Sequence, residues 1–189
     1  MITLEKMSAA EISELYAARM TADFPQAELK PLKSILNMTE QGVYDNLRIC
    51  LDREPAGYAL VLRADGIGYA LLDYFAVFSE KRNLGIGGEA LAALREFYPE
   101  HRLLLESEFP ADAPKPELAA RRLGFYKRNG AVDTGVESRV FGVHFVNCVL
   151  TEAGEPAEAP EKIAEALEAL YRYIVPEETE RRKQIRFLI

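Results

Sequence analysis

A chain of 189 residues, 49% of them hydrophobic, is long enough for one domain with one sizeable core and a terminal appendage. A net charge of −7 excludes general nucleic-acid binding, because the basic patches Arg121-Arg122 with Lys127-Arg128 and Arg181-Arg182-Lys183 sit among acids and read as solvated helix faces. With no apolar run of about eighteen residues and no basic-then-apolar leader, a soluble cytoplasmic protein without a membrane partner is expected.

In chain order, Ile2 to Glu5 reads as a short strand. Ser8 with Glu11 is a capping box opening a helix to about Met20, on which Ile12, Leu15 and Tyr16 recur at helical spacing. The stretch from Thr21 to Pro31 is irregular, and a second helix runs from about Leu32 to Glu40 before Gly42. Three strands follow, Asn46 to Leu51, Gly57 to Arg63 and Gly68 to Phe78, joined through Asp52 to Pro55 and through Asp65-Gly66, the latter a strong hairpin signal. They predict an antiparallel meander whose last member is apolar except for Asp73.

Ala90, Leu91, Leu94, Phe97 and Tyr98 then mark one face of a helix that Pro99 terminates. Arg102 to Glu106 is a strand, Glu117 to Arg128 a helix closed by Asn129-Gly130, and Ala131 to Thr151 two more strands. Residues Glu152 to Pro160 have a linker composition, and Ile163, Leu167, Leu170, Tyr171 and Ile174 form the apolar stripe of a terminal helix broken at Pro176. Domain bounds of 1–151, and 152–189 for a linker and docked helical extension, follow from this reading. The cysteines, Cys50 and Cys148, lie in apolar runs as small core hydrophobes, and His101 and His144 lack a ligand spacing, so no metal is expected.

The segment that carries chemistry is Phe75 to Ala90. A strand ends, a turn with Gly85, Gly87 and Gly88 follows, and a helix begins, so backbone N–H groups without intrahelical partners are free to converge on one oxyanion, with Arg82 adding a charge suited to phosphate. A purely structural turn is one reading of the glycines. A dinucleotide-binding site is another, since Gly85 to Ala90 fits G-x-G-x-x-A with Glu106 about twenty residues on. The antiparallel meander ahead of the glycines opposes it, because that fold needs alternating strands and helices in a parallel sheet.

The run Val77-Phe-Ser-Glu-Lys-Arg82-Asn-Leu-Gly85-Ile-Gly87 resembles the signature of the GNAT N-acetyltransferase superfamily, in which Arg/Gln-x-x-Gly-x-Gly/Ala leads a strand into a helix that holds the coenzyme A pyrophosphate. Ser79 stands where proline is frequent, and Asn83 where glycine is. Ala119 to Gly130, with Phe125-Tyr126, is similar to the superfamily's helix ending Phe-Tyr-x-x-x-Gly. An asparagine often found earlier on that helix is not evident. The element order agrees from about Ile2 to Leu150.

The resemblance implies an α+β fold, with a mixed, mostly antiparallel central sheet of six to seven strands flanked by helices. It implies an acetyl-CoA-dependent N-acetyltransferase in which a primary amine, of a small molecule in the first instance, attacks the thioester directly in a ternary complex. The coenzyme would be held by Phe75, Ala76 and Val77, whose backbone receives the pantetheine, and by Arg82, Asn83, Leu84, Gly85, Ile86, Gly87 and Gly88. Tyr126 would act as general acid for the thiolate. Glu106 and Glu108, on one face of their strand, are candidates for the base, with Asp73 as a third. Substrate contacts are expected from Asp23 to Pro31, with Glu28 and Arg19 as contributors. The alternative from another class is a GNAT-fold module that binds coenzyme A as a sensor without turnover. The last strands and the terminal helix offer a surface for a homodimer.

Overall fold

The computed structural model describes residues 1–26, 28–151 and 155–189. They fall into two compact units, residues 1–63 with 72–99, and residues 64–71 with 100–189. Part of the linker expected over Glu152 to Pro160, namely 152–154, lies outside the described residues, as does Ala27 of the expected substrate segment.

The first unit begins with β1 (Ile2–Lys6) and α1 (Ala9–Leu15). The capping box at Ser8 forms: the Glu11 N–H donates to Ser8 Oγ, and the Ser8 N–H donates to the Glu11 carboxylate at 2.8 Å. The helix predicted to Met20 changes pitch, running through a π-helical turn at Tyr16–Met20 into α2 (Thr21–Asp23). Such turns are rare and cluster at functional positions. Then come α3 (Leu32–Glu40), β2 (Tyr44–Leu51), β3 (Glu54–Arg63), β4 (Tyr69–Val77) and α4 (Ile86–Phe97). Strands β1 and β2 pair antiparallel, as do β2 and β3, the first two members of the expected meander.

The turn chemistry is redistributed. The tight hairpin is Asp52-Arg53, where both residues take positive φ between the paired Leu51 and Glu54. At Asp65-Gly66 only the glycine is left-handed. A two-residue turn whose twist matches the strands needs positive φ at both positions, and the β2–β3 pairing is strong enough to impose this on non-glycine residues.

The unit's buried polar node is Asp45 on β2. It accepts Lys6 Nζ at 2.9 Å, Arg63 Nε at 2.7 Å and the Tyr98 hydroxyl at 3.0 Å. Burial alone would raise the Asp45 carboxyl, but the Arg63 and Lys6 contacts outweigh it and hold the group below its usual range. A folded-state value below the unfolded one means that the unfolded chain binds the extra proton. The stabilisation is therefore complete above about pH 4 and is lost as pH falls through the depressed native value. Asp45→Asn is expected to cost about 2 kcal/mol at neutral pH, a deficit that shrinks towards pH 3, as read by urea unfolding across that range.

The second unit contains β5 (Arg102–Glu108), α5 (Pro116–Arg128), β6 (Ala131–Val140), β7 (Val143–Leu150), α6 (Pro160–Ile174), α7 (Glu178–Gln184) and β8 (Ile185–Leu188). Its strand order is β4-β5-β7-β6-β8, where β4 is the strand common to both units, and the pairs β5/β7, β7/β6 and β6/β8 are antiparallel. Eight strands form among the described residues, against the six to seven expected, in a mixed α+β arrangement that is mostly antiparallel. The additional strand is β8. Ile185 and Phe187 alternate with Arg186 and Leu188, and the Phe187 ring packs 5.8 Å from that of Tyr171 on α6.

The basic run at 181–183 is only partly a solvated face. Arg181 is buried, donating from Nη1 to the carbonyls of Val175 and Pro176 beyond the end of α6 and from Nε to Glu168. Carbonyls at a helix end lack intrahelical partners, and a guanidinium fork supplies donors for two of them. Cys50 and Cys148 are free and buried. No helix among the described residues is long and apolar enough to cross a membrane.

Candidate active site

The glycine-rich turn sits wholly in the first unit. Strand β4 ends at Val77, a 3-10 turn spans Ser79–Lys81, and α4 starts at Ile86. Asn83 has φ 66° and Gly85, the residue capping α4, has φ 79°. These left-handed steps reverse the chain so that successive N–H groups lie on one side. The Gly88 N–H donates to Gly85 O at 3.1 Å, whereas the amides of Asn83, Leu84, Gly85, Ile86 and Gly87 have no hydrogen-bond partner among the described residues. Arg82 to Gly85 are exposed. Unpaired amides at the positive end of a helix dipole form an anion site.

Arg82 is oriented by contacts that the sequence did not predict. Its Nε donates to Val77 O at 3.0 Å, and its Nη2 lies 3.6 Å from the Asp23 carboxylate. Asp23 in turn accepts the Tyr58 hydroxyl at 2.9 Å. Burial, with the Asp23 carboxylate, pushes Tyr58 well above the usual phenol range. Arg82 Nη1 makes no hydrogen bond among the described residues, so one arm of the fork is available to an anion.

Arg19, expected as a substrate contact, braces the same turn and also lines the cleft described below. It grips Glu80 through both terminal nitrogens, at 2.7 and 3.3 Å, and stacks 4.5 Å over the Phe78 ring. The Arg19 guanidinium holds the Glu80 carboxyl down at about 2. No motif predicts either contact: Glu80 is an unspecified position within the signature run, and Asp23 opens the segment expected to contact substrate. Only the return of the helical segment against β4 brings them to the turn.

Strand β4 carries Phe75, Ala76 and Val77, half-buried at its end. Here β3 approaches so closely that a β-carbon at Gly57 would stand 2.3 Å from Ala76 O. Gly57→Ala is therefore expected to force the two strands apart, costing about 2 kcal/mol. Its unfolding midpoint in urea, compared with the parent protein, checks this.

A cleft of about 200 Å³ lies along the first helical segment, lined by Leu15, Ala18 and Phe78 and by the charged residues Glu11, Glu14, Arg19 and Arg48. Glu14 makes no hydrogen bond or ion pair among the described residues. In the segment expected to contact substrate, Glu28 O accepts the Tyr74 hydroxyl at 2.8 Å, and Lys30 pairs with Asp73 at 2.8 Å. Asp73 also accepts the Tyr44 hydroxyl. The third base candidate is thus committed to clamping that segment.

The remaining candidates lie in the second unit. Tyr126, in the last turns of α5, is buried, and its hydroxyl has no hydrogen-bond partner among the described residues. Burial pushes it up to about 12. Glu106 on β5 has both oxygens occupied, Oε1 by the Ser138 hydroxyl at 3.0 Å and Oε2 by the Tyr171 hydroxyl at 2.5 Å. Glu108, two residues on, binds Arg122 at 3.1 Å through Oε2, and its Oε1 is without a hydrogen bond among the described residues.

No protein-family model matches the chain, and no curated protein matches it. Solved structures do. A protein of Bacteroides thetaiotaomicron described as a GNAT-family acetyltransferase superposes with a TM-score of 0.71 at 21% identity, over 92% of this chain and 97% of that one. The Escherichia coli ribosomal-protein-S18-alanine N-acetyltransferase gives 0.57 at 16% identity, over 84% and 99%. An aminoglycoside N-acetyltransferase gives 0.58 at 19% identity, over 80% and 97%. At such identities the likeness carries architecture: this chain has the fold of the GNAT acetyltransferases.

Proposed function

We propose that the chain is an N-acetyltransferase that moves the acetyl group of acetyl-CoA to a primary amine of a small-molecule acceptor, by direct attack within a ternary complex. The observation that carries this reading is the row of unpaired amides from Asn83 to Gly87, with the Arg82 fork beside it. A diphosphate satisfies several such donors at once. Phe75, Ala76 and Val77 offer backbone groups to the pantetheine, and Ile86 to Gly88 complete the cradle.

In the transfer a C–N bond forms, the C–S bond breaks, and the electron pair leaves on sulfur. One proton must pass from nitrogen to sulfur. Of the two β5 carboxylates, Glu108 suits the receiving end because Oε1 is open, whereas Glu106 is spent on Ser138 and Tyr171. Tyr126, held at about 12, is a weaker acid than a thiol of ordinary value ~8.5. It therefore serves the departing thiolate best as a hydrogen-bond donor, stabilising charge as it develops.

Titration calorimetry with acetyl-CoA, followed by a thiol-release screen over an amine panel, tests the reading. Binding together with release on at least one amine is expected. Binding with no release across the panel would favour the sensor, and no binding would remove the coenzyme assignment.

A further inference from the structure

Two charges at the end of the first helical segment meet two on the glycine-rich turn, all within the first unit. Arg19 faces Glu80, and Asp23, one helical turn on, faces Arg82. The two contacts are unlike. Arg19 grips Glu80 at 2.7 Å, whereas Arg82 Nη2 stands 3.6 Å from Asp23, beyond the roughly 2.9 Å of a charge-assisted hydrogen bond. Arg82 is held firmly only at Nε, by Val77 O, and its side chain is 53% exposed.

Asp23 has other support. Its Oδ2 accepts the buried Tyr58 hydroxyl at 2.9 Å, and its charge lies within electrostatic reach of Arg19. Breaking a partly buried ion pair is costly when it strands one charge without a partner. Here the carboxylate keeps a donor and a neighbouring cation when Arg82 turns away, so the guanidinium is free to change partner. The next partner is at hand, because an anion gathered by the open amides from Asn83 to Gly87 sits on the residues that follow Arg82. A diphosphate, with more charge than one carboxylate and oxygens spaced for a guanidinium fork, outcompetes Asp23 there.

We propose that Asp23 is an internal counter-anion for Arg82, which passes from Asp23 to the diphosphate on binding and returns to Asp23 on release. This rests on the acetyl-CoA reading above. Asp23 is then a positioning residue that sets the grip on the coenzyme: it parks Arg82 beside the empty cradle and, by competing for it, keeps spent CoA from being held too tightly to leave.

The test is titration calorimetry of CoA and of inorganic diphosphate, with pantetheine as the phosphate-free control. Asp23→Asn keeps an oxygen for the Tyr58 hydroxyl and removes only the charge. It is expected to tighten both phosphate ligands by about tenfold at low salt, less as salt rises. Pantetheine affinity should not change. Tyr58→Phe should act in the opposite sense, weakening both ligands about threefold, because a carboxylate that has lost its hydroxyl donor holds Arg82 harder. Equal or weaker binding in a folded Asp23→Asn protein, or a shift of the two variants in the same direction, would overturn the hand-over while leaving the coenzyme site intact. Should Asp23→Asn fail to fold, Tyr58→Phe decides, and equal or tighter binding there overturns it. CoA alone decides where free diphosphate binds too weakly to measure. A parent protein that binds neither ligand would overturn the acetyl-CoA reading as well.

Discussion

Gly87→Asp is expected to weaken CoA binding by at least about a hundredfold while leaving the protein as stable as before or more so. A carboxylate introduced about 4 Å from a diphosphate charge is repelled by ~4 kcal/mol at an effective dielectric of 20, and screening reduces but does not cancel this. The helix responds in the opposite sense. Gly87 is the second residue of α4, where an acid complements the dipole and a non-glycine residue lowers the entropy of the unfolded chain. Calorimetry and thermal unfolding on one preparation separate the two effects. Unaltered CoA affinity in a folded Gly87→Asp protein would sink the placement of the phosphate cradle.

Tyr126→Phe is expected to lower kcat by about a hundredfold, with CoA affinity little changed, because the hydroxyl is asked to act on charge that appears only as sulfur departs. Stability near neutral pH should be unchanged or slightly higher, since the hydroxyl removed has no partner among the described residues. The pH signature is specific. With Tyr126 raised to about 12, the group stays protonated throughout the working range, so no alkaline fall in kcat below about pH 11 is assignable to it. Because the folded value exceeds the unfolded one near 10, native stability is full below pH 10 and declines as pH rises through 12. Phe removes that decline. A kcat equal to that of the parent across the amine panel would strip Tyr126 of its role.

The bracing of the glycine-rich turn was less legible than the turn itself. Gly85 announces a chain reversal because its left-handed conformation is one that few other residues tolerate, and the apolar run of β4 ahead of it fixes strand-then-helix locally. Asp23 and Glu80 announce nothing. Each is one acid among thirty. They matter because the segment Tyr16 to Asp23, with its π-helical turn, returns against β4 and brings Arg19 to Glu80 and Asp23 to Arg82. The carboxylates of β5 show the same limit from the other direction. Alternation placed Glu106 and Glu108 on one face, but only the packing of α6 and β6 occupied Glu106 and left an oxygen of Glu108 open.

Sequence alone determined the α+β class, the β2–β3 hairpin, the capping box at Ser8 and the glycine-rich strand-to-helix turn, since each is set largely by residues within a few positions of one another through dihedral preference and hydrophobic period. Tertiary structure decided the eighth strand, the buried Arg181 cap, the orientation of Arg82, and which buried hydroxyls lack partners. Those depend on which groups meet in the folded chain, whether five residues apart as at Arg181 or nearly sixty apart as at Asp23 and Arg82, and no local pattern encodes that pairing.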